Sequence, residues 1–180
     1  MLDPDAGMAE LRDPHGPYDA TVPPALRLAT PADAAACAVM HAECWREAYG
    51  PYADPALLAE RLADTEGWLA AWTRHLTEGP PRVLAEHDGE IVGFSVVGPG
   101  RHPGDATQEL YAIYTRQAWW GTGLGQELWD AVRPDEPCSL WVLEDNERAQ
   151  GFYRRNGFVA DGARDFYDGL GTWEIRMVRP

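Results

Sequence analysis

The hydrophobic and polar positions of this chain recur with two periods, and these periods predict where its helices and strands lie. A helical period is seen first at Cys37 and Met40, in a segment that predicts a helix up to about Tyr49. Two further segments with helical periodicity are predicted as helices over residues 55–62 and 66–76. The part of the chain that precedes residue 80 is therefore predicted to be rich in helix.

Strands are predicted where short hydrophobic runs lie between turn-forming residues. The clearest signal is a hairpin over residues 82–97, because two such runs flank Asp88-Gly89, a dipeptide typical of a two-residue turn. Residues 160–164 are predicted to form a turn. The other predicted strands are residues 26–29, 110–115, 140–143 and 173–178. This order of elements predicts a single α/β domain, with a mixed (α+β) central sheet and helices on both of its faces.

The length and composition of the chain agree with one folded domain. With 180 residues, of which 45% are hydrophobic, the chain is long enough to bury a sizeable core. Residues 1–25 are rich in Pro, Asp and Gly and show no sustained periodicity. We expect this segment to be a flexible extension or to become ordered against the domain or a partner, and the domain to span residues 26–180.

The acidic balance of the chain limits its partners. A net charge of −14 argues against nucleic acid, because binding to phosphates needs a basic face. An acidic surface would attract cationic molecules such as polyamines, amino sugars or basic peptides, or it would serve only solubility. All fifteen basic residues are arginines, so the chain has no lysine of its own that could be acetylated.

The remaining compositional signals concern membranes, export and metals. No apolar run approaches the ~18 residues of a membrane span, so no membrane partner is expected. The first residues lack the pattern of a signal peptide, and we therefore expect a cytoplasmic protein. Cys37, Cys44 and Cys138 form no Cys-x-x-Cys spacing, which favours buried free thiols over a disulfide or a metal site.

A glycine-rich turn follows the predicted strand over residues 110–115. Gly121, Gly123 and Gly125 leave the amides of this turn uncovered, and a helix begins directly behind them. Exposed amides at the positive end of a helix dipole form a site for phosphate or pyrophosphate. Gln126 follows the last glycine, which excludes both a P-loop lysine and the final glycine of a dinucleotide-binding fingerprint.

A second motif follows the predicted strand over residues 140–143. Asn146 is a suitable N-cap for a helix that Gly157 would end. Ala149 and Tyr153 lie three and seven residues after Asn146, so one helical face carries all three. Together with the first motif, this segment places two strand-to-helix units next to each other in the sequence.

The two motifs resemble those of the GNAT superfamily of acyl-CoA-dependent N-acetyltransferases. The resemblance rests on Trp120-Gly121-Thr122-Gly123-Leu124-Gly125 and on Asn146-x-x-Ala149-x-x-Phe152-Tyr153-x-x-x-Gly157-Phe158, and it extends over about residues 26–180. It implies transfer of an acetyl group from acetyl-CoA, without a metal, directly to a primary amine of a small acceptor. The acidic balance of the chain would suit a cationic acceptor. It also implies the mixed sheet with helices on both faces.

The resemblance assigns a set of residues to the cofactor. These are Ile113, Tyr114, Thr115, Trp120, Gly121, Thr122, Gly123, Leu124, Gly125, Gln126, Asn146, Phe152 and Tyr153. One departure concerns Trp120, because the family usually has Arg or Gln at this position. We expect binding to survive, since backbone amides make most contacts with the phosphates, and Trp120 to pack against the cofactor or a neighbouring helix.

The resemblance also suggests an acid and a base. Tyr153 would protonate the departing thiolate, since a tyrosine with a pKa near ~10 holds its proton at neutral pH. Packing alone is the alternative role for this ring. Glu109 opens the central strand at a position where many family members carry a proton-accepting glutamate, although a solvated charge would also explain it. Cys138 has no neighbouring His in the sequence, so direct transfer is favoured over an acyl-enzyme.

The acceptor is the least specified part of the sequence. Candidate residues are Trp45, Tyr49, Trp141 and Tyr167, and residues 162–167 look similar to the tail of bacterial spermidine/spermine-type N-acetyltransferases. Two alternatives stay open, namely acetylation of a protein N-terminus or lysine, and a non-catalytic acyl-CoA-binding module. Pairing of the chain as a homodimer also stays open.

Overall fold

The computed structural model describes residues 22–101 and 106–180, which form one mixed sheet covered by helices. The elements in chain order are β1 (Ala25–Leu28), α1 (Ala34–Tyr49), α2 (Pro55–Ala63), α3 (Thr65–Glu78), β2 (Val83–His87), β3 (Glu90–Pro99), β4 (Gln108–Thr115), α4 (Leu124–Val132), β5 (Cys138–Leu143), α5 (Glu147–Arg155), β6 (Val159–Tyr167) and β7 (Thr172–Arg179). The predicted α/β class and mixed sheet are confirmed. Of the predicted extension 1–25, residues 1–21 lie outside the described part, and β1 begins within it at Ala25.

The strands are ordered β1-β2-β3-β4-β5-β7-β6 across the sheet. Every neighbouring pair is antiparallel except β4 and β5, which are parallel and connected through α4. Among the helices of the described residues, none is long and apolar enough to cross a membrane. The parallel pair at the centre is the feature that positions the site.

Helices cover both faces of the sheet, as the order of elements predicted. On one face, α1 and α3 pack over Leu84, Phe94 and Val96. On the opposite face, α4 buries Leu128 and Trp129 against the sheet. Alternation of side chains along the strands supplies both cores, since successive residues of a strand project to opposite faces.

The start of α1 is fixed by local hydrogen bonds. A short 3₁₀ turn (Pro31–Asp33) precedes the helix, and the carboxylate of Asp33 accepts a hydrogen bond from the Thr30 amide at 2.7 Å. The same carboxylate forms a salt bridge with Arg27 of β1 at 2.8 Å. This pair joins the first strand to the first helix.

The hairpin over residues 82–97 is confirmed, and one predicted turn is wrong. Asp88 and Gly89 have φ of 50° and 80°, which suits the two-residue turn between β2 and β3. Residues 160–164, predicted as a turn, lie inside β6, where the register shifts between Ala160 and Arg164. A bulge within an edge strand, with Gly162 at a φ of 92°, contains the same residue types as a turn.

The pairing between β4 and β5 is short. Only Gln108 with Cys138 and Glu109 with Ser139 pair across it, and the two strands diverge beyond these residues. Within the described residues, the edge of β4 that faces β5 therefore has no strand partner from Leu110 onward. This gap between two parallel strands, which we call the β4–β5 gap, opens toward the N-terminus of α4.

Candidate active site

A cavity of about 660 Å³ occupies the β4–β5 gap. Its wall combines residues of α1, β4, β5, α5 and β7 with those of the segment 121–125, which we call the glycine loop. This volume lies in the range of sites that enclose a small molecule or cofactor. The cavity is therefore the candidate active site.

The glycine loop forms one end of the cavity. Gly121 and Gly123 have φ of 79° and 101°, a left-handed conformation that glycine adopts without strain. A Cβ atom added at either residue would have no heavy atom within 4 Å, so open space lies above both. Gly123 is also the N-cap of α4, so the positive end of this helix dipole points toward the same space. This loop fits a diphosphate, because it offers donors, room and the positive end of a dipole.

The loop is held at its start by contacts with α1. The Glu47 carboxylate accepts a hydrogen bond from the Gln117 amide at 2.7 Å and another from Nε of Arg116 at 3.0 Å. The indole Nε1 of Trp120 donates to the carbonyl of Thr115 at 3.1 Å. These bonds fix the direction in which the chain leaves β4.

The exposed edge of β4 forms the floor of the gap. Ile113, Tyr114 and Thr115 all line the cavity. The hydroxyl of Tyr114 is hydrogen-bonded to the hydroxyl of Tyr49 of α1. Burial raises the pKa of both phenols well above the usual value, so both stay neutral at physiological pH.

Helix α5 brings Asn146 and Tyr153 to the cavity. Oδ1 of Asn146 accepts a hydrogen bond from the Ala149 amide at 3.0 Å, which caps the helix. Tyr153 lies two turns further along and packs edge-on against Phe152 and Phe158, with ring centres 5.4 Å and 5.9 Å away. Burial raises the pKa of Tyr153 to about 12, and the positive charge of Arg148 partly offsets this rise.

Arg148 is a cavity residue that was not predicted. Its guanidinium lies 3.6 Å from the ring centre of Trp120, over the ring face, and both side chains line the cavity. Among the described residues, Arg148 forms no salt bridge with a carboxylate. A cation in the first turn of a helix is unfavourable for the helix dipole, and this was the signal in the sequence. Arg148 supplies positive charge beside Trp120, where the family motif usually has Arg or Gln.

Most of the predicted cofactor residues line the cavity, and two do not. Those in the wall are Ile113, Tyr114, Thr115, Trp120, Gly121, Gly123, Gly125, Gln126, Asn146, Phe152 and Tyr153. Thr122 turns back, and its hydroxyl donates to the carbonyl of Trp119 at 2.9 Å. Leu124 is 2% exposed and packs in the core beneath α4. The side chains of these two residues stabilise the loop from below.

The structure does not bring Glu109 to the cavity. This side chain is 1% exposed and lies where β4 still pairs with β5. Its carboxylate accepts hydrogen bonds from the main-chain amide and Nε of Arg101 at 3.1 Å and 3.0 Å. Arg101 thus holds this carboxylate outside the cavity wall, at a point where β4 and β5 have not yet diverged.

The four predicted acceptor residues separate into two pairs. Tyr49 and Trp141 line the cavity. Trp45 lies in the core, where its Nε1 donates to Nε2 of His41 at 3.0 Å, and Tyr167 packs against the same core. One carboxylate of the wall was missed, that of Glu174 on β7. Its position depends on which strands pair, which no local signal in the sequence reveals.

The described residues contain no group of three or more His, Cys, Asp or Glu side chains placed to hold a metal. Cys37, Cys44 and Cys138 are buried free thiols. Burial raises the pKa of the Cys138 thiol to about 11, which keeps it protonated at neutral pH. None of the three lines the cavity.

Comparison with known proteins agrees with this architecture. The fold is shared with the PaiA N-acetyltransferase from Thermoplasma acidophilum, whose structure contains coenzyme A. The TM-score is 0.61 at 16% identity, over 86% of this chain and 98% of that one. A model of the acetyltransferase (GNAT) family matches residues 36–158, more than half of the chain, and the protein therefore belongs to that family.

Two relatives illustrate the range of the family. The Mycobacterium tuberculosis protein Rv2775, named a probable N-acetyltransferase, is 30% identical over 143 residues, which are 76% of this chain and 80% of the relative. An aminoglycoside N(6')-acetyltransferase type 1 from Stenotrophomonas maltophilia is 32% identical over 115 residues, which are 61% of this chain and 65% of the relative. The protein is thus an enzyme of the acetyltransferase class.

Proposed function

We propose that the protein moves the acetyl group of acetyl-CoA directly to a primary amine of a small acceptor. The observation that carries this proposal is that one cavity joins three features: the β4–β5 gap, the glycine loop at the start of α4, and the hydroxyl-bearing side chain of Tyr153. Acetyl-CoA supplies an activated thioester. The residues of the chain would bind this donor, orient its acetyl carbonyl and protonate the leaving sulfur.

The glycine loop and Arg148 would hold the anionic end of the donor. The open space at Gly121 and Gly123 accepts a diphosphate close to the backbone amides. Arg148, stacked on Trp120, adds a charged donor at the rim. Arg148 of α5 would thus supply the side-chain contact that Arg or Gln makes in the family motif, so acetyl-CoA could bind although Trp120 occupies that position.

The free edge of β4 would hold the pantetheine arm and the acetyl carbonyl. Along residues 113–115, the backbone groups that point away from β3 face the β4–β5 gap, where no strand of the described residues pairs with them. An amide of this strand would polarise the carbonyl and so stabilise negative charge on its oxygen during transfer. The side-chain amide nitrogen of Asn146 is available to the arm, because Oδ1 is used by the helix cap.

Tyr153 would protonate the leaving sulfur. With a pKa of about 12, its hydroxyl is fully protonated at neutral pH and can give its proton to a thiolate. The edge-on contacts with Phe152 and Phe158 fix the ring. Direct transfer is supported by the cysteines, all of which lie outside the cavity wall.

A small amine is the acceptor class that the site favours. The acceptor side of the cavity carries Tyr49 and Trp141, whose aromatic faces suit a cation. The net charge of −14 attracts cationic molecules. The relative from Stenotrophomonas maltophilia is named for acetylation of an aminoglycoside, which is a small polyamine.

Two measurements test the proposal. Titration calorimetry should show binding of acetyl-CoA at micromolar concentration, and its absence would contradict the donor. Mass spectrometry should then show transfer to members of a panel of 1,4-diaminobutane, spermidine, kanamycin, amino acids and peptides. Acetylation of peptides alone would favour a protein acetyltransferase, and binding without any transfer would favour a non-catalytic module.

A further inference from the structure

Glu174 is a carboxylate in the cavity wall that neither motif contains. It lies on β7, directly opposite Leu143 of β5, and both residues line the cavity. Directly opposite residues of an antiparallel pair project to the same face of the sheet. Glu174 is half-buried and is the only Asp or Glu among the described residues that line the cavity.

The ionisable groups around Glu174 come from several elements. Burial is the main cause of the raised pKa of Tyr49 on α1 and of Tyr167 at the end of β6, and the negative charge of Glu174 adds to both shifts. Asp165 of β6 lies opposite Glu174, and Arg176 lies two residues along β7 on the same face. Arg176 also forms a salt bridge with Asp161 at 2.8 Å.

Two more groups belong to this environment. Tyr114 is bonded to Tyr49, and Arg61 of α2 exerts its positive charge on Tyr167. Because the phenols near Glu174 are neutral, the negative charge of the cavity wall comes from Glu174. By contrast, the arginines that line the cavity, Arg148 and Arg155, both lie on α5. The two signs of charge in the wall therefore lie on different elements, with the cations on α5 and the carboxylate on β7.

The chemistry of the reaction needs a proton acceptor on the acceptor side. An alkyl amine is protonated at neutral pH, and only its free base can attack a thioester. Glu109, the carboxylate that the sequence suggested, is held by Arg101 outside the cavity. Glu174 is the carboxylate that an acceptor in the cavity can reach.

Resting on the proposed function, we propose that Glu174 binds the ammonium group of the acceptor and takes its first proton. The free amine then forms the C–N bond at the thioester carbonyl carbon, and the C–S bond breaks. The thiolate takes a proton from the Tyr153 hydroxyl, and the second proton lost by the nitrogen returns to Tyr153 through solvent. One acetamide and one thiol form, and the proton on Glu174 is released to water.

The test compares Glu174→Gln with Asp165→Asn, which removes the neighbouring exposed carboxylate on the same face of the sheet. Rates of acetyl transfer to kanamycin and 1,4-diaminobutane are measured from pH 6 to 10, with acetyl-CoA affinity measured by calorimetry. Glu174→Gln should lower kcat/KM ~10²-fold at pH 7. This deficit should shrink as the pH approaches the pKa of the amine, because free base then forms without help.

The controls separate this role from a structural one. Asp165→Asn should stay within about twofold of the wild type, and Glu174→Asp should keep the wild-type shape of the pH profile. Acetyl-CoA should still bind to Glu174→Gln, since the glycine loop is unchanged. A deficit that is equal at every pH, or one that appears in Glu109→Gln instead, would overturn the inference.

The proposed function has its own mode of failure. If the wild-type enzyme binds acetyl-CoA but transfers acetyl to none of the amines, the acceptor class is wrong and the role of Glu174 falls with it. If the wild type transfers acetyl and Glu174→Gln does so equally well at pH 7, only the role of Glu174 is wrong.

Discussion

The two sides of the cavity differ in how their residues are arranged along the chain. The donor side consists of β4, the glycine loop, α4 and α5, and its groups come from two short continuous segments. The acceptor side combines the end of α1 with β5 and β7, which are far apart in sequence. Continuous segments carry a signal in their own spacing, whereas residues brought together by strand pairing do not.

Two aromatic residues of α1 illustrate this difference. Trp45 and Tyr49 are four residues apart on one helical face, so their spacing treats them alike. Trp45 is enclosed by His41 and Trp68, with ring centres 6.1 Å and 5.2 Å away, and is therefore part of the core. Tyr49, one turn later, reaches the cavity and bonds to Tyr114. Only tertiary packing decides which of the two can meet an acceptor.

The largest expected effect tests the donor side at Tyr153. Replacing Tyr153 with Phe keeps the ring contacts but removes the hydroxyl, so kcat should fall ~10²-fold or more while acetyl-CoA affinity changes little. Because the pKa of Tyr153 is about 12, the wild-type rate should show no loss from its deprotonation up to about pH 10. Steady-state kinetics across pH measures both. An unchanged kcat with a lower melting temperature would make Tyr153 a packing residue.

The next effect tests the glycine loop. Gly123→Asp should weaken acetyl-CoA binding ~10²-fold, since it places a negative charge where phosphate would lie and blocks charge-assisted hydrogen bonds. Gly162→Asp is the matched control, because Gly162 also has a positive φ and open space but lies in the β6 bulge. Calorimetry with acetyl-CoA should separate the two variants. Equal losses would mean that backbone strain, and not phosphate binding, explains the effect.

A smaller effect is expected at Arg148. Arg148→Met should weaken acetyl-CoA binding ~10-fold, as expected for one charge-assisted contact. Arg154→Met on the same helix is the control, because Arg154 is exposed and pairs with Glu147. The weakening should decrease at high salt, where charges are screened. If both variants bind acetyl-CoA like the wild type, Arg148 does not replace the contact that Arg or Gln makes at the position of Trp120.

The smallest effect concerns the stability of the aromatic cluster around His41 of α1, which includes Trp45 and Trp68. Burial lowers the pKa of His41 to about 3, below the 6.5 of an exposed histidine, so His41 is neutral in the fold. The unfolded chain therefore binds a proton first as the pH falls below 6.5, and this contribution to stability is lost progressively toward pH 3. The free energy of unfolding should fall by about 1.4 kcal/mol per pH unit in this window from His41 alone.

Denaturant unfolding between pH 7 and 5 measures this slope, before most carboxylates titrate. His41→Phe should flatten it, and His75→Gln should flatten it less, since the position of His75 on α3 is less enclosed. A slope that is unchanged in His41→Phe would show that His41 is already accessible to protons in the fold. The aromatic cluster would then be looser than its contacts indicate.

Much of the fold could be predicted from the sequence because its signals are local. The Asp88-Gly89 turn, the Asn146 cap and the Gly157 stop each act within a few residues. The bulge in β6 was missed because Gly162 has the same backbone requirement in a bulge as in a turn. The site residues Arg148 and Glu174 were missed for another reason. A cation in the first helical turn marks Arg148 as unusual, but its contact with Trp120 is visible only in the tertiary structure, and the position of Glu174 depends on the register between β5 and β7.

The sheet consists of two parts that are joined by the two-pair junction between β4 and β5. Strands β1–β4 form one part of the sheet and β5–β7 the other, and among the described strand residues the two parts pair at Gln108 and Glu109 alone. Acetyl-CoA that bonds both to the free edge of β4 and to α5 would connect the two parts of the sheet. Its binding energy would then add to the cooperativity of unfolding. Without a bound donor, we expect the sheet to open first at this junction, so amide hydrogens beside it should exchange sooner than those of the β2–β3 hairpin.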